Sequence, residues 1–330
     1  MSLAAIRDVI LKESSATAQL QDALDRYTQL ATQITGIAPD PSFDAWATDS
    51  FLDQGVAINP QAAAHCAKDY HRSVVFIRGV HAAIETLRHK LPGETIRVLY
   101  AGSGPYATLL LPLLDKYAPT ELDICLLDIH QRSLDGVQAL INHFGLDAFE
   151  LQLVCADATN YQHDSSLHLI ITETMQKALE QEPQFAVTAN LATQLHSEGL
   201  FLPETIEVTL AMAGLQQAQT VSLGPVLTLS ANSAPALRNS AICNQSSSTL
   251  ELPSVRLQVP ALDEADDLEI ALFTNIQIFQ NYWLHAYDAE ITLPQRCHDI
   301  SSVQGGDIIR VTYQLGSYPR FHCVVDTSSI

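Results

Sequence analysis

The sequence predicts an α/β protein in which a doubly wound parallel sheet follows a helical segment and precedes a β-rich domain. Short apolar runs alternate with helical patterns between residues 96 and 202, which is the order typical of a parallel sheet. A glycine turn follows the first apolar run, and turn-separated alternating segments occupy the end of the chain. We therefore expect an N-terminal helical lid (1–92), a Rossmann-like domain (93–212) and a β-rich C-terminal domain (213–330).

The first 92 residues have the periodicity of helices rather than strands. Apolar side chains recur at helical spacing from Ile6 to Leu30, and Pro39 ends that pattern. A second, long helical pattern runs from Pro60 towards Leu91, where Pro92-Gly93 stops it. This segment precedes the sheet and is expected to cover it as a lid.

The expected strands of the sheet are short, continuous apolar runs, as strands buried on both faces require. They lie at 96–101, 122–128, 150–156, 167–172, 199–202 and 205–212. Helices are expected between them at 106–117, 131–144 and 183–196. The stretch 223–249 is expected to be a loop or irregular strands. The β-rich domain is then predicted to contain strands at 254–259, 268–280, 287–293, 307–315 and 320–325.

The glycine turn Gly102-Ser103-Gly104 joins the first strand to the first predicted helix of the sheet. Glycine allows the backbone to turn sharply and allows a ligand to come close to it. A helix that starts after such a turn points its free N–H groups at the ligand. The pattern is typical of nucleotide-like ligands bound at the carboxyl edge of a parallel sheet.

Acidic residues end three successive strands of the predicted sheet. Asp128 lies 26 positions after Gly102 and can accept the hydroxyls of a ribose, while Asp157 can accept the amino group of adenine. Glu173 lies at the edge where substrate and reactive group should meet. Both NAD and S-adenosylmethionine fit this pattern. The lid before the turn and the acidic ends of the third and fourth strands favour S-adenosylmethionine, which is a cation.

Composition excludes several classes of partner. The net charge is -20 and the isoelectric point is about 4.8, so the chain repels nucleic acids and anionic membranes. It has no apolar run long enough for a membrane span and no signal-peptide pattern. The six cysteines lack CxxC spacing and the twelve histidines lack metal-ligand spacing. We expect a cytoplasmic protein without a metal.

Four motifs occur in an order known from one enzyme family. They are the segment from Lys68 to Arg72, the turn sequence VLYAGSG, the acidic stretch ITETMQKALEQE and the segment EGLFLPE. In these motifs, from about Cys66 to Val208, the chain resembles class I S-adenosylmethionine-dependent methyltransferases, and most of all their protein arginine methyltransferase branch. The resemblance implies that Arg72 holds the methionine carboxylate of the cofactor. It also implies that Glu173 and Glu182 correspond to the two glutamates of the "double-E" loop.

The motifs and the resemblance together assign candidate site residues. The expected cofactor-binding residues are Arg72, Ala101, Gly102, Ser103, Gly104, Asp128, Ile129, Asp157, Ala158 and Glu173. The expected catalytic residues are Glu173, Glu182 and Tyr106, where Tyr106 replaces the third glycine and brings a phenol near the methionine end of the cofactor. Tyr70 and Met175 are the expected substrate-binding residues.

Departures from the branch change the expected substrate. Tyr100 replaces the acidic residue that is usual before the glycines, and the tryptophan and glycine of the double-E loop are absent. We therefore expect a methyltransferase that acts on a small molecule, such as an amino acid or another amine or guanidine metabolite, for example in natural-product biosynthesis. Two alternatives stay open. One is a cyclase or aminocarboxypropyl transferase that releases methylthioadenosine, for example by forming azetidine-2-carboxylate. The other is a non-catalytic cofactor-binding scaffold. A homodimer is also left open.

Overall fold

The computed structural model describes residues 2–40, 49–214, 220–244, 249–261, 268–300 and 302–326. The α-helices in these ranges are α1 (Leu3–Leu11), α2 (Thr17–Thr35), α3 (Pro60–Cys66), α4 (Tyr70–Lys90), α5 (Gln131–Phe144), α6 (Gln184–Leu191) and α7 (Ala234–Ser240). The strands up to the middle of the chain are β1 (Ser50–Leu52), β2 (Gly55–Ala57), β3 (Ile96–Ala101), β4 (Leu122–Asp128), β5 (Gln152–Cys155), β6 (Leu167–Thr172), β7 (Leu195–Leu202) and β8 (Thr205–Gly214). The later strands are β9 (Thr220–Leu229), β10 (Ile242–Asn244), β11 (Thr249–Glu251), β12 (Val255–Gln258), β13 (Leu268–Phe279), β14 (Tyr282–Leu284), β15 (Gln295–Arg296), β16 (Ile308–Leu315) and β17 (Arg320–Asp326).

A five-stranded parallel sheet with the order β5-β4-β3-β6-β7 lies at the centre of the molecule. Its strands bury both faces, so that Val98 and Tyr100 belong to one apolar cluster and Leu99 and Ala101 to another. The chain runs outwards from β3 to β5 and then returns to form β6 on the other side of β3. Ligands bind outside the carboxyl ends of strands at such a reversal. The predicted α/β class with a doubly wound sheet is confirmed.

The segment after the glycine turn departs from the prediction. The expected helix at 106–117 is wrong, because the chain forms turns there and then a 3₁₀ helix at Leu111–Lys116. Ala107 has a left-handed φ of 44°, and Pro112 has no N–H to donate to a helical partner. The five leucines of this segment are all buried, so apolar burial holds it against the N-terminal helices. No α-helix therefore starts at the turn.

The strand at 205–212 was grouped with the parallel sheet, and this grouping is wrong. Strand β8 instead pairs antiparallel with β13 and β9, in a sheet of order β14-β13-β8-β9 with β15 on β13. Ile206, Val208 and Leu210 are buried and alternate with half-buried polar residues, which is the pattern of a sheet covered on one face. The domain division at residue 212 stays a prediction.

A second antiparallel sheet completes the β-rich C-terminal part, with the order β10-β11-β16-β12 and with β17 on β16. Its presence confirms the predicted β-rich character. Two details of the prediction are wrong. The stretch 287–293 contains a 3₁₀ turn at Glu290–Thr292 instead of a strand. The stretch 223–249 contains the end of β9 and the strand β10, as the prediction allowed, but also helix α7, and 245–248 lies outside the described residues.

The long helical pattern from Pro60 forms two helices rather than one. Asp69 separates them, because its Oδ1 accepts a hydrogen bond from the backbone N–H of Arg72 and so caps the start of α4. Its Oδ2 accepts a bond of 2.9 Å from the N–H of Glu290, in the β-rich part. The cap of α4 is thus also a link to the C-terminal half of the chain.

Tyr106 joins the glycine turn to the N-terminal helices. Its hydroxyl donates to the carbonyl of Ile37 and lies 2.8 Å from Oγ1 of Thr32. In return, the hydroxyl of Tyr27 donates to the backbone carbonyl of Tyr106 at 2.6 Å. Both tyrosine side chains are fully buried. The helical segment is therefore fastened to the turn through paired tyrosine hydroxyls.

We expect the Tyr106→Phe variant to be less stable than the wild type. The substitution keeps the ring and leaves the Ile37 carbonyl and the Thr32 hydroxyl without their partner, which costs about 1–3 kcal/mol. Equilibrium urea unfolding measures the difference. A free energy of unfolding equal to that of the wild type would contradict this anchoring role.

Candidate functional site

A cavity of about 390 Å³ lies at the carboxyl ends of the parallel strands, where the chain reverses between β3 and β6. Helix α3 and the hairpin β1–β2 border it on one side, and the 3₁₀ turn that contains Glu290 and Ile291 borders it on another. Twelve of the predicted site residues line this cavity: Arg72, Gly102, Ser103, Gly104, Tyr106, Asp128, Ile129, Asp157, Ala158, Glu173, Met175 and Glu182. The structure therefore brings most of the candidate site together.

Ala101 and Tyr70 do not line the cavity. Ala101 is the last residue of β3, and its side chain packs in the apolar cluster that contains Leu127 and Phe201. Tyr70 is the first residue of α4 and packs against the main core, with its ring edge-on to His71. Their predicted binding roles thus have no direct contact with the cavity to support them.

The glycine turn passes very close to the end of β6. Gly102 has a φ of 73°, and a Cβ placed on it would lie 2.5 Å from Cγ2 of Thr174. Its N–H donates to the carbonyl of Leu127 at 2.9 Å, which ties the turn to β4. A side chain at this position is therefore excluded by backbone conformation and by space.

Asp128 fastens the same turn from the neighbouring strand. Its Oδ2 accepts the N–H of Gly104 and its Oδ1 accepts the N–H of His130, both at 2.9 Å. Each carboxylate oxygen has a second lone pair, so Asp128 can still accept the hydroxyls of a ligand. Asp157 is arranged similarly after β5, with its Oδ1 accepting the N–H of Thr159 at 2.8 Å.

Arg72 and Glu173 form a buried ion pair in the cavity wall. Nη1 of Arg72 lies 3.0 Å from Oε1 of Glu173, and Arg72 is only 5% exposed. Burial opposes the charge of Arg72, but the Glu173 carboxylate raises the pKa of Arg72 overall and keeps it protonated. Nε of Arg72 has no hydrogen-bond partner in the described part of the chain. A buried, unused donor on a guanidinium fits a carboxylate ligand.

Glu182 lies beside this pair and has an unusual affinity for its proton. Burial, together with the charge of Glu173, raises the pKa of Glu182 to about 8, while Arg72 acts in the opposite direction. Burial also raises the pKa of Glu173 itself. The two glutamates therefore differ, since Glu173 is paired with a cation and Glu182 holds a proton near neutral pH.

The loop that carries both glutamates is conformationally strained. Three of its residues have a left-handed φ although they are not glycine. They are Ala178, Leu179 and Gln181, with φ values of 51°, 56° and 64°. Such conformations cost on the order of 1–3 kcal/mol each and persist only where the surroundings impose them. We call residues 173–183 the acidic loop.

Gln184 holds the first part of the acidic loop, and no motif indicated it. Its Oε1 accepts from the N–H and the hydroxyl of Thr174, and its Nε2 donates to Oγ1 of Thr172 at 2.8 Å. Gln184 is fully buried. It therefore holds Thr174 next to the glycine turn. A buried amide among threonines is visible only in three dimensions, because the sequence does not show which polar residues face the core.

Other lining residues were also missed. Cys66 lies beside Arg72, and burial raises the pKa of its thiol to about 11, so it is not a reactive thiolate. Tyr100 lies in the wall near Glu173, and its pKa is raised well above the ordinary value, first by burial. Glu290 comes from the β-rich part, far along the chain, and no local pattern could have placed it here.

Comparisons with known proteins identify the fold. No protein-family model matches the chain, and no curated protein matches it. The solved structure of protein arginine methyltransferase 10 from Arabidopsis thaliana is similar, with a TM-score of 0.53 and 13% identity over 76% of this chain and 86% of that one. The chain has the fold of a protein arginine methyltransferase.

A second solved structure, the enzyme–prozyme heterotetrameric complex of Trypanosoma brucei PRMT1 with AdoHcy, aligns with a TM-score of 0.49 and 10% identity. It covers 78% of this chain and 96% of that one. The Arabidopsis thaliana structure confirms the motif resemblance at the level of the fold. Among the described residues, no group of three or more metal-ligating side chains occurs, and no helix is long and apolar enough to cross a membrane.

We expect Gly102→Ala to destabilise the protein more than Gly93→Ala does. Both glycines have a positive φ, but a Cβ at Gly93 meets nothing within 4 Å, whereas one at Gly102 collides with Thr174. The left-handed conformation alone costs about 1–2 kcal/mol and is common to both variants. Urea unfolding of the two variants therefore isolates the collision. Equal losses of stability would show that the close approach at Gly102 does not matter.

We expect Glu182→Gln to change how stability depends on pH. The pKa of Glu182 is about 8 in the folded protein against an ordinary 4.5, so the folded state binds this proton more tightly. Its contribution is fully present below pH 4.5 and is lost as the pH rises through about 8. Within this window the wild type should lose about 1.4 kcal/mol per pH unit relative to Glu182→Gln. Urea unfolding from pH 5 to 9 measures this, with the exposed Glu198→Gln as the control, and parallel curves for wild type and Glu182→Gln would refute it.

Proposed function

We propose that the protein is an S-adenosylmethionine-dependent methyltransferase that acts on a small molecule with an amine or guanidine group, such as an amino acid. One observation carries the proposal. A single cavity contains a buried guanidinium with an unused donor, Arg72, and an acidic strand end, Asp128, on opposite sides of the glycine turn. These groups complement the two ends of an amino-acid nucleoside. The shared fold with an arginine methyltransferase supports the same class of reaction.

The residues of the cavity fit this cofactor better than a dinucleotide. Nε of Arg72 would take its carboxylate, Asp128 its ribose hydroxyls and Asp157 its adenine amino group. Gly102 has no side chain, so the cofactor can come close to the backbone there. A dinucleotide would need a helix N-terminus for its pyrophosphate, and only a 3₁₀ segment follows this turn.

The chain's own residues supply alignment and proton transfer. When bound, S-adenosylmethionine supplies an electrophilic methyl group on a sulfonium. Glu173 and Glu182 would hold a cationic acceptor, whose positive charge lowers the pKa of Glu182 and converts it to a carboxylate that can accept a proton. Tyr106 receives no chemical step in this proposal, because its hydroxyl is already bonded to Thr32 and Ile37.

A small acceptor is favoured by the size and cover of the cavity. Its volume of about 390 Å³ is near the lower end of the range for small-molecule sites, and the cofactor would use much of it. The hairpin β1–β2 and the turn at Glu290 border the remainder. A cytoplasmic location and a role in natural-product metabolism are further parts of the proposal. A homodimer is also part of it and rests on the family resemblance.

A second candidate function keeps the cofactor and changes the bond that breaks. Tyr100 lies where the methyltransferases have an acidic residue, and burial keeps its phenol neutral by raising its pKa. It therefore offers no negative charge to the cofactor's ammonium group, and that amine loses its proton more readily. This favours attack on the aminocarboxypropyl chain, including by the cofactor's own amine with release of methylthioadenosine.

Product analysis tests the proposal. The purified protein is incubated with S-adenosylmethionine alone and then with free arginine and other amino acids, and the products are identified by mass spectrometry. We expect S-adenosylhomocysteine to appear only when an acceptor is present. Methylthioadenosine with a new cyclic amino acid, formed without an acceptor, would replace methyl transfer by the second function. Binding of the cofactor without any product would indicate the non-catalytic scaffold.

Two arginine variants provide the control for cofactor binding. Arg72→Met removes the unused donor from the cavity and should weaken binding of S-adenosylmethionine about 10-fold or more, as expected for a lost charge-assisted hydrogen bond. Arg78→Met changes the same helix, but Arg78 bonds to the carbonyls of Ile10 and Lys12 outside the cavity. Equal affinities of the two variants for S-adenosylmethionine would show that Arg72 does not contact the cofactor.

A further inference from the structure

The acidic loop is held mainly by the β-rich part of the chain. The hydroxyl of Tyr313, on β16, donates to the carbonyl of Leu179 at 2.7 Å, and Oγ1 of Thr274, on β13, accepts the N–H of Ala178 at 3.2 Å. Tyr313 and Thr274 belong to different antiparallel sheets, and both are nearly fully buried. Each bond ends on a residue with a left-handed φ. Both sheets therefore hold the strained part of the loop through hydrogen bonds.

The next residues of the loop are held from two further sides. The N–H of Gln181 donates to the carbonyl of Pro319 at 2.8 Å, and its own carbonyl accepts from the N–H of Val56 in the hairpin β1–β2 at 2.7 Å. Gly55 makes this approach possible, since a Cβ there would lie 2.8 Å from the backbone nitrogen of Pro183. The backbone of the loop is thus fixed by two bonds at the residue immediately before Glu182.

From these contacts we infer that Tyr313 and Thr274 are positioning residues, through which the β-rich part of the chain sets the place of Glu182 in the cavity. Neither residue lines the cavity, so neither touches a ligand. Glu182 faces Glu173, Arg72, Asp49 and Cys66, and Gln176 donates a hydrogen bond to its carboxyl group. The distance of Glu182 from the first four depends on the loop backbone. The inference rests on the proposed function only in treating Glu182 as the group that meets the acceptor.

The strain of the loop explains why these bonds matter. Ala178, Leu179 and Gln181 would relax out of the left-handed region if their partners were lost, because only tertiary contacts hold side chains other than glycine there. A relaxed loop would move Glu182 towards solvent and away from Arg72. Its pKa would then fall back towards the ordinary value, since burial is the largest cause of the shift.

The test uses two variants that each remove one bond with little change of shape. Tyr313→Phe keeps the ring contacts with Phe185 and Phe321, and Thr274→Val removes the Oγ1 acceptor. The control is Tyr27→Phe, which removes a buried hydroxyl that donates to the backbone carbonyl of Tyr106 and does not line the cavity. Hydrogen–deuterium exchange of residues 177–182 and the pH dependence of urea unfolding are measured for all three variants in the full-length protein.

We expect both loop variants to exchange the amides of 177–182 about 10-fold faster and to flatten the loss of stability between pH 5 and 8. Tyr27→Phe should lower stability equally at every pH, because its partner is a backbone carbonyl, and should leave loop exchange unchanged. The inference is overturned if the loop variants behave like this control, or if exchange rises while the pH dependence persists. Wild-type turnover of S-adenosylmethionine is assayed separately with free arginine, so a failure of the proposed function leaves both readouts interpretable.

Discussion

The buried ion pair between Arg72 and Glu173 is the interaction on which the organisation of the site depends. It joins the first turn of α4, in the helical N-terminal part, to the end of β6 in the parallel sheet. Taking two charges out of water costs free energy of desolvation. Removing one partner leaves the other charge buried and unpaired, which lowers stability by about 3–5 kcal/mol. The helical N-terminal part and the sheet are therefore held in one relative position beside the cavity. Nε of Arg72 has no hydrogen-bond partner among the described residues, and the proposed carboxylate contact rests on this donor.

Around that pair, the site combines rigid and strained backbone. The glycine turn is fixed by Asp128 and by the carbonyl of Leu127, both on β4, and it lies close to Thr174 after β6. The acidic loop is the opposite case, because its conformation is locally unfavourable and is imposed by contacts with β13, β16 and the hairpin β1–β2. The carboxyl group of Glu182, whose pKa is shifted, is thus held in place by elements that are distant along the chain.

Local patterns in the sequence explain which predictions are confirmed. The parallel strands were located because continuous apolar runs between turn residues are distinctive, and the acidic residues at their ends converge because parallel strands present their carboxyl ends at one edge. The helix after the turn was misjudged because leucine-rich periodicity fits an α-helix, whereas Pro112 and the left-handed Ala107 allow only a 3₁₀ segment. Tyr106 lines the cavity and its hydroxyl bonds to the N-terminal helical part, while its catalytic role stays a prediction.

By itself, the sequence determined the α/β class, the glycine turn and the set of acidic residues at the strand ends, because each depends on local spacing and on the alternation of burial. Only the tertiary structure decided that β8 leaves the parallel sheet, that Gln184 presses Thr174 against the turn, and that Glu290 reaches the cavity. It also decided the difference between the two glutamates of the acidic loop. Burial and the neighbouring charges set the pKa of a carboxyl group, and neither can be read from the order of residues along the chain.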